Sequence, residues 1–101
     1  METILIVDDE KNYTLILAAI LEDEGFETLT ANSGQEALAI LSESDVDLIL
    51  TDMKMPAMDG IELLERIKKE DADLPVIMMT AHGTVEKAVE AMQKGAYNYI
   101  L

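Results

Sequence analysis

Short apolar runs alternate along the chain with longer segments in which apolar residues recur every three or four positions. Two of the short runs, residues 4–7 and 76–79, are apolar at every position. Strands that are covered on both faces have this pattern, and such strands belong to a parallel sheet between helical layers. Five strands are predicted, and they cover Thr3–Val7, Thr28–Ala31, Leu48–Thr51, Val76–Thr80 and Tyr97–Leu101.

The segments between the strands carry helix signals. Ser33 has Glu36 three positions later, as in a capping box, and Asp59 with Glu62 repeats that spacing. Gly25 and the glycine at position 95 follow two of the segments and supply left-handed helix stops. The predicted inward faces are Tyr13, Leu17, Ile20 and Leu21; Ala37, Leu38 and Leu41; Ile61, Leu64 and Ile67; and, in a helix opened by Thr84, Val85, Ala88, Val89 and Met92.

Five strands alternating with four helices predict an open, doubly wound α/β fold, because parallel neighbours need right-handed crossovers. The chain stops in or directly after the fifth strand, and no fifth helix follows. Since a sheet of this kind needs helices on both faces, we expect the sequence to be a piece of a longer protein.

Composition narrows the possible functions. The chain has 101 residues, which suits one domain, and its formal net charge of −14 repels nucleic acid and anionic membranes. It has no cysteine, which excludes disulfides and thiolate metal sites and fits a cytoplasmic location. No apolar run has the length of a bilayer span, and the first residues do not resemble a signal peptide.

Carboxylates follow two of the predicted strands, and a hydroxyl follows a third. Asp8 and Asp9 come after the first strand, Asp52 after the third, and Thr80 ends the fourth. Ligands bind beyond the carboxyl ends of strands in open α/β sheets. Two such charges about 4 Å apart repel by roughly 4 kcal/mol at an effective dielectric near 20, so the group favours a hard cation such as Mg²⁺. A carboxylate there can attack phosphorus to give an aspartyl phosphate.

Each of these residues also has a purely structural interpretation. Residues 8–10 could cap the first helix, where negative charge is favourable. Asp52 could be a turn residue, and Thr80 an ordinary threonine at a strand end. The joint placement favours a site, because unrelated caps have no reason to meet at one edge of a sheet.

Four segments of the sequence resemble the receiver domain of response regulators in bacterial two-component signalling. They are ILIVDDE (4–10), LILTDMKMPAMDG (48–60), PVIMMTAHG (75–83) and KGAYNYIL (94–101). The resemblance spans residues 1–101 and implies a flavodoxin-like strand order 2-1-3-4-5 without the family's last helix. It also implies that Asp52 is the phosphoacceptor, that Asp9 binds Mg²⁺ directly, that Asp8 holds the metal through water, and that the backbone carbonyl of Lys54 completes the metal shell.

The resemblance assigns a switch as well. Thr80 matches the hydroxyl that moves toward the phosphoryl group, Ala81 the small residue that leaves access, and Tyr99 the aromatic whose rotamer follows Thr80. The family's Lys, which binds the phosphoryl group, would fall one residue past Leu101, so we expect this chain to hold metal but to phosphorylate poorly. His82 is expected to be an exposed loop residue.

The implied function is a phosphorylation-controlled switch. A histidine kinase would phosphorylate Asp52, and a C-terminal output domain would respond, with homodimerisation on phosphorylation as a further possibility. The sequence of residues 81–101 resembles the corresponding part of receivers in enhancer-binding transcription activators. In such proteins any DNA contact belongs to another domain. Catalysis would be limited to self-phosphorylation and its slow reversal.

The sequence disfavours two other functions. A magnesium phosphohydrolase similar to the haloacid dehalogenases needs D-x-D after the first strand, whereas this chain has DDEK. A phosphorylation-independent interaction module with a relic acidic pocket is disfavoured by the intact Asp8, Asp9, Asp52 and Thr80, although the missing Lys keeps it open.

Overall fold

The computed structural model describes residues 2–79 and 85–100, apart from the side chains of Val85 and Tyr99. Strands and helices alternate throughout these ranges. In chain order they are β1 (Thr3–Val7), α1 (Lys11–Asp23), β2 (Glu27–Ala31), α2 (Gly34–Glu43), β3 (Leu48–Asp52), α3 (Gly60–Glu70), β4 (Val76–Met79), α4 (Val85–Gln93) and β5 (Asn98–Ile100).

The five strands form one parallel sheet in the order β2-β1-β3-β4-β5, which confirms the predicted fold class. Val7 at the end of β1 pairs with Thr51 of β3. Asp8 and Asp52 directly follow this pair, so they leave neighbouring strands at the same level. The register of β1 against β3 therefore determines where the acidic residues meet.

Both faces of β1 are buried, as its unbroken apolar pattern predicts. Leu5 and Val7 belong to the core beneath α2, α3 and α4, whereas Ile4 and Ile6 pack on the α1 side with Ala18. Successive side chains of a strand point to opposite faces, so an apolar residue at every position serves two cores at once. The strand that carries the acidic pair is thus fixed from both sides.

The predicted inward face of α1 is wrong in part. Leu17 and Leu21 pack on the sheet, but Tyr13 and Ile20 are 40% and 55% exposed, and the fully buried position is Thr14, with Ala18 beside it. Small side chains let the helix approach the sheet closely. The Thr14 hydroxyl donates to the Lys11 carbonyl at 2.8 Å, so its burial leaves no unsatisfied donor.

In α4 the prediction fails in a similar way. Val89 and Met92 are 49% and 46% exposed, while Ala91 is completely buried in the core beneath the sheet. The small side chain of Ala91 lets the helix lie closer to the sheet than valine or methionine would. With Ala91 facing the sheet, the larger side chains of Val89 and Met92 face outward. The predicted faces of α2 and α3 are confirmed, with Ala37, Ile61, Leu64 and Ile67 buried and Leu38 and Leu41 packed against them.

The helix boundaries confirm the capping signals. The Ser33 hydroxyl accepts the Glu36 N–H at 3.1 Å, and the Asp59 carboxylate accepts the Glu62 N–H at 2.9 Å. Gly25 and Gly95 have φ of +97° and +105°.

The strand bounds differ slightly from the prediction. β2 and β3 each extend one residue beyond the prediction, and β5 begins one residue later, at Asn98. The predicted strand end at Thr80 and the helix start at Thr84 lie outside the described residues, and none of the described helices could cross a bilayer.

Gly60 opens α3 against the end of β3. Its N–H donates to the Met53 carbonyl at 2.8 Å, and a Cβ at this position would lie 2.8 Å from the Met53 Cα and closer still to the Asp52 carbonyl oxygen. These neighbours are backbone atoms, which cannot yield as a flexible side chain could. Gly60 is therefore required by the close approach of α3 to the strand that carries Asp52.

We expect Gly60→Ala to lower the free energy of unfolding by about 2 kcal/mol or more, because the added methyl group overpacks a backbone contact. Gly25→Ala is the control, since a Cβ there meets nothing within 4 Å and only the positive φ is strained, at a cost of about 1 kcal/mol. Urea denaturation of both variants measures the difference. Equal losses would show that the approach of α3 to β3 does not depend on this glycine.

Candidate metal centre

Three carboxylates converge at the carboxyl end of the sheet. One oxygen of each of Asp8, Asp9 and Asp52 lies within 4.8 Å of the other two. Asp8 and Asp52 are partly buried, and Asp9 is exposed, so the group opens to solvent on one side. The predicted acidic pocket therefore exists in the geometry, and its members come from β3 and from the turn between β1 and α1.

Asp8 is held by three hydrogen bonds. Its carboxylate accepts the Glu10 N–H at 2.9 Å, and its own N–H donates to the Ala31 carbonyl at 3.1 Å. Its backbone carbonyl accepts the side-chain amide of Asn32 at 2.9 Å. Sequence reasoning missed Asn32, although its place directly after β2, the neighbour of β1, is a usable signal.

Burial raises the pKa of Asp8 above its ordinary value of 3.8, and the nearby charges of Asp52 and Asp9 raise it further. The hydrogen bond from the Glu10 N–H acts in the opposite direction but does not cancel these effects. Ionised Asp8 is therefore unfavourable in the metal-free fold. A cation at this position would relieve both the burial and the repulsion.

The donor set fits a hard divalent cation. All three groups offer carboxylate oxygens, which Mg²⁺ and Ca²⁺ prefer, and the solvent-open side leaves room for metal-bound water. Within residues 2–79 and 85–100 this is the one cluster of acidic or histidine side chains with such spacing. The residues present therefore fit the Mg²⁺ that the sequence predicts.

The other predicted site residues are placed less completely. The Lys54 side chain is exposed on the loop after β3. Tyr99 lies in β5, where its backbone pairs with Met78, but its side chain is outside the described atoms. Thr80, Ala81 and His82 also lie outside the described residues.

The sheet order and the acidic group at its carboxyl end define a receiver. Residues 4–101 match the response regulator receiver domain family, and the chain belongs to that family. The resemblance drawn from its four motifs is thereby confirmed.

The relatives agree with this assignment. The transcriptional regulatory protein ZraR of Escherichia coli K12 is 44% identical over 98 residues, which cover 97% of this chain and 22% of ZraR. A receiver domain protein from Clostridium thermocellum superposes with a TM-score of 0.94 at 39% identity, over 99% of this chain and 81% of that one. The response regulator TrrA of Thermotoga maritima, solved in complex with Mg(2+)-BeF, superposes with a TM-score of 0.91 at 34% identity, over 100% and 86%. The chain spans about a fifth of the length of the curated relatives it matches.

Asp8→Asn is expected to raise the free energy of unfolding of the metal-free chain at neutral pH. The amide oxygen can still accept the Glu10 N–H, while the charge that burial disfavours is removed. Because the folded-state pKa of Asp8 is raised, its ionisation has no destabilising effect well below pH 3.8 and its full effect above the folded-state pKa. The advantage of the variant should therefore grow as the pH rises through this range, and then stay constant.

Urea denaturation over a pH series, without and with excess Mg²⁺, measures this effect. Saturating Mg²⁺ should reverse the order of stabilities, since the ion stabilises the folded state that binds it more tightly. Glu10→Gln removes the same charge from an exposed neighbour and is the control. Identical behaviour of the two variants would contradict the unfavourable burial of Asp8.

Proposed function

We propose that this chain is a phosphorylation-controlled signalling switch in which Asp52 accepts a phosphoryl group from a histidine kinase in a Mg²⁺-dependent reaction. The observation that carries the proposal is the convergence of Asp8, Asp9 and Asp52 within 4.8 Å at the carboxyl end of the sheet. Such a group would bind a divalent ion, and the open coordination positions of that ion would take phosphoryl oxygens.

Asp52 is the proposed acceptor because, of the three acids, it is the one that lies within a strand of the sheet. It is the last residue of β3, which has β1 on one side and β4 on the other, and it pairs with Met79. Asp8 and Asp9 lie in the turn after β1, and Asp9 is exposed. A carboxylate fixed on a central strand meets the requirement of phosphoryl transfer for accurate positioning.

In the transfer, a carboxylate oxygen of Asp52 forms a bond to phosphorus as the bond from phosphorus to the imidazole nitrogen of the kinase histidine breaks. The electron pair of that bond stays with the nitrogen, which is released as a protonated or neutral imidazole according to the pH. Mg²⁺ would neutralise charge on the equatorial oxygens. Asp9 is proposed as its direct ligand, Asp8 as a ligand through water, and the backbone carbonyl of Lys54 as a further ligand.

The comparison with TrrA supports the metal and the phosphoryl site, since a protein of the same fold forms a complex with Mg(2+)-BeF. The name of ZraR supports a transcriptional output for a longer protein that contains this chain. We propose that such an output domain follows the receiver, that the protein is cytoplasmic, and that DNA contact belongs to the output domain.

The proposed switch runs from the phosphoryl group through Thr80 to Tyr99. Large apolar side chains are exposed on α4, on β5 and on the residue that precedes β5. These are Val89, Met92, Tyr97 and Ile100. A surface of this kind supports a partner contact at α4 and β5, such as the output domain or a second copy of the protein.

Asp52→Asn is expected to abolish acid-labile incorporation of phosphate from acetyl phosphate in the natural gene product that carries this chain. The amide oxygen is a far weaker nucleophile than the carboxylate, so the loss should exceed a hundredfold, or about 2.7 kcal/mol in the barrier. Asp59→Asn, on the loop after Asp52, is the matched control, because Asn also caps a helix. Incorporation at the wild-type level in the Asp52 variant would refute the acceptor assignment and favour the phosphorylation-independent module.

Asp9→Ala is expected to weaken Mg²⁺ binding about tenfold or more in the 101-residue chain, because a charged oxygen ligand is lost. Isothermal titration calorimetry measures the affinity. Glu10→Ala removes a charge one residue away and should change the affinity less than threefold, or about 0.65 kcal/mol. An unchanged affinity in the Asp9 variant would remove the metal centre from the proposed function.

A further inference from the structure

The hydrogen bond from Asn32 acts at the peptide group between the two acidic residues. The Asp8 carbonyl that accepts the Asn32 amide at 2.9 Å belongs to the same planar unit as the Asp9 N–H. Rotation of this plane changes the direction of the backbone at both residues. Its orientation therefore influences where the carboxylates of Asp8 and Asp9 point relative to each other.

We propose that Asn32 is a positioning residue that holds the Asp8–Asp9 peptide group in the orientation required by an octahedral cation. The proposal rests on the proposed function, since it concerns the same metal centre. Asn32 is only partly buried, and its amide contacts the backbone rather than the carboxylates. It acts on the ligands through the main chain.

Besides the hydrogen bond from the Asp8 N–H to the Ala31 carbonyl, two anchors fix the turn that carries the acidic pair. The Asn32 amide holds the Asp8 carbonyl, and the Glu10 N–H holds the Asp8 carboxylate. Without the first anchor the peptide plane can rotate, because the second restrains the side chain and not the carbonyl. Holding groups in a productive geometry before the ligand arrives strengthens binding by removing the cost of ordering them.

Asn32 is itself held firmly. It follows Ala31, which pairs with Val7 and accepts the Asp8 N–H, and it precedes the Ser33 cap of α2. Gly34 then packs closely against the loop that follows Asp52, since a Cβ on Gly34 would lie 2.6 Å from the Met58 sulfur. Residues 32–34 thus connect the turn of Asp8 and Asp9 with the loop that follows Asp52.

The two alkaline-earth ions give a test of geometry that is separate from charge. Mg²⁺ demands near-ideal octahedral geometry at short distances, whereas Ca²⁺ accepts irregular arrangements of six to eight oxygens. Loss of orientation should therefore weaken the binding of Mg²⁺ much more than the binding of Ca²⁺. A loss of charge or of folded protein would weaken the binding of both ions alike.

The experiment is calorimetric titration of the 101-residue chain with Mg²⁺ and, separately, with Ca²⁺. We expect Asn32→Ala to raise the Kd for Mg²⁺ about tenfold, as is usual for outer-shell partners of metal ligands, and to raise the Kd for Ca²⁺ less than about twofold. Ser33→Ala is the matched control: it removes a neighbouring hydrogen bond worth about 1 kcal/mol to stability, and it should leave both affinities unchanged.

Asn32→Asp separates orientation from electrostatics further. It keeps the size of the side chain but replaces the donor with an anion that repels the Asp8 carbonyl. If only charge mattered, the extra negative charge would tighten the binding of both ions. We expect weaker Mg²⁺ binding instead.

Equal weakening of both ions by Asn32→Ala, or no weakening beyond that of Ser33→Ala, would overturn the role of Asn32. Such a result would leave the metal centre itself intact, because that depends on the loss of Mg²⁺ affinity in Asp9→Ala. Failure of the Asp9 test would instead remove the proposed metal centre. The two tests therefore distinguish failure of the inference from failure of the function beneath it.

Discussion

Mutual repulsion of three carboxylates is the constraint on which the rest of this structure depends. Their oxygens lie within 4.8 Å, so ionisation of all three groups opposes folding of the metal-free chain. Burial raises the pKa of Asp8, and the nearby charges of Asp52 and Asp9 raise it further. Folding must supply enough rigidity to hold the acids together against this repulsion. A bound cation would relieve the repulsion that the metal-free fold retains.

That rigidity comes from the two-sided burial of β1 and from the close approach of α3 to β3. Ile4 and Ile6 pack under α1, Leu5 and Val7 pack on the opposite side, and Gly60 lets α3 begin against the backbone of Asp52. The buried side chains of Met53, Met55 and Met58 anchor the loop that follows Asp52. Their flexible side chains fill an irregular space that a branched residue would fill poorly.

The fold and the acidic group were predictable from sequence because both follow from local rules. An apolar run without alternation indicates a strand with two covered faces, and acids at the ends of parallel strands must meet at one edge. The inward faces of α1 and α4 were not predictable in the same way. Periodicity selects large apolar side chains, such as Ile20 and Met92, whereas the sheet contacts small ones, such as Ala18 and Ala91. Asn32 was missed because its partner is a backbone carbonyl, which no residue type marks, so that only its place directly after β2 could have indicated the contact.

The alanine contact of α4 has a thermodynamic consequence for signalling. In the described part of the helix, Ala91 is the one fully buried side chain. Its methyl group contributes about 0.8 kcal/mol of burial, whereas a fully buried leucine at the same position would hold the helix several times more strongly. Inverting a two-state population from 1:99 to 99:1 takes about 5.5 kcal/mol in all. In the proposed switch, weak anchoring of α4 would keep the energy gap between two positions of this helix within the range that one added phosphoryl charge can overcome.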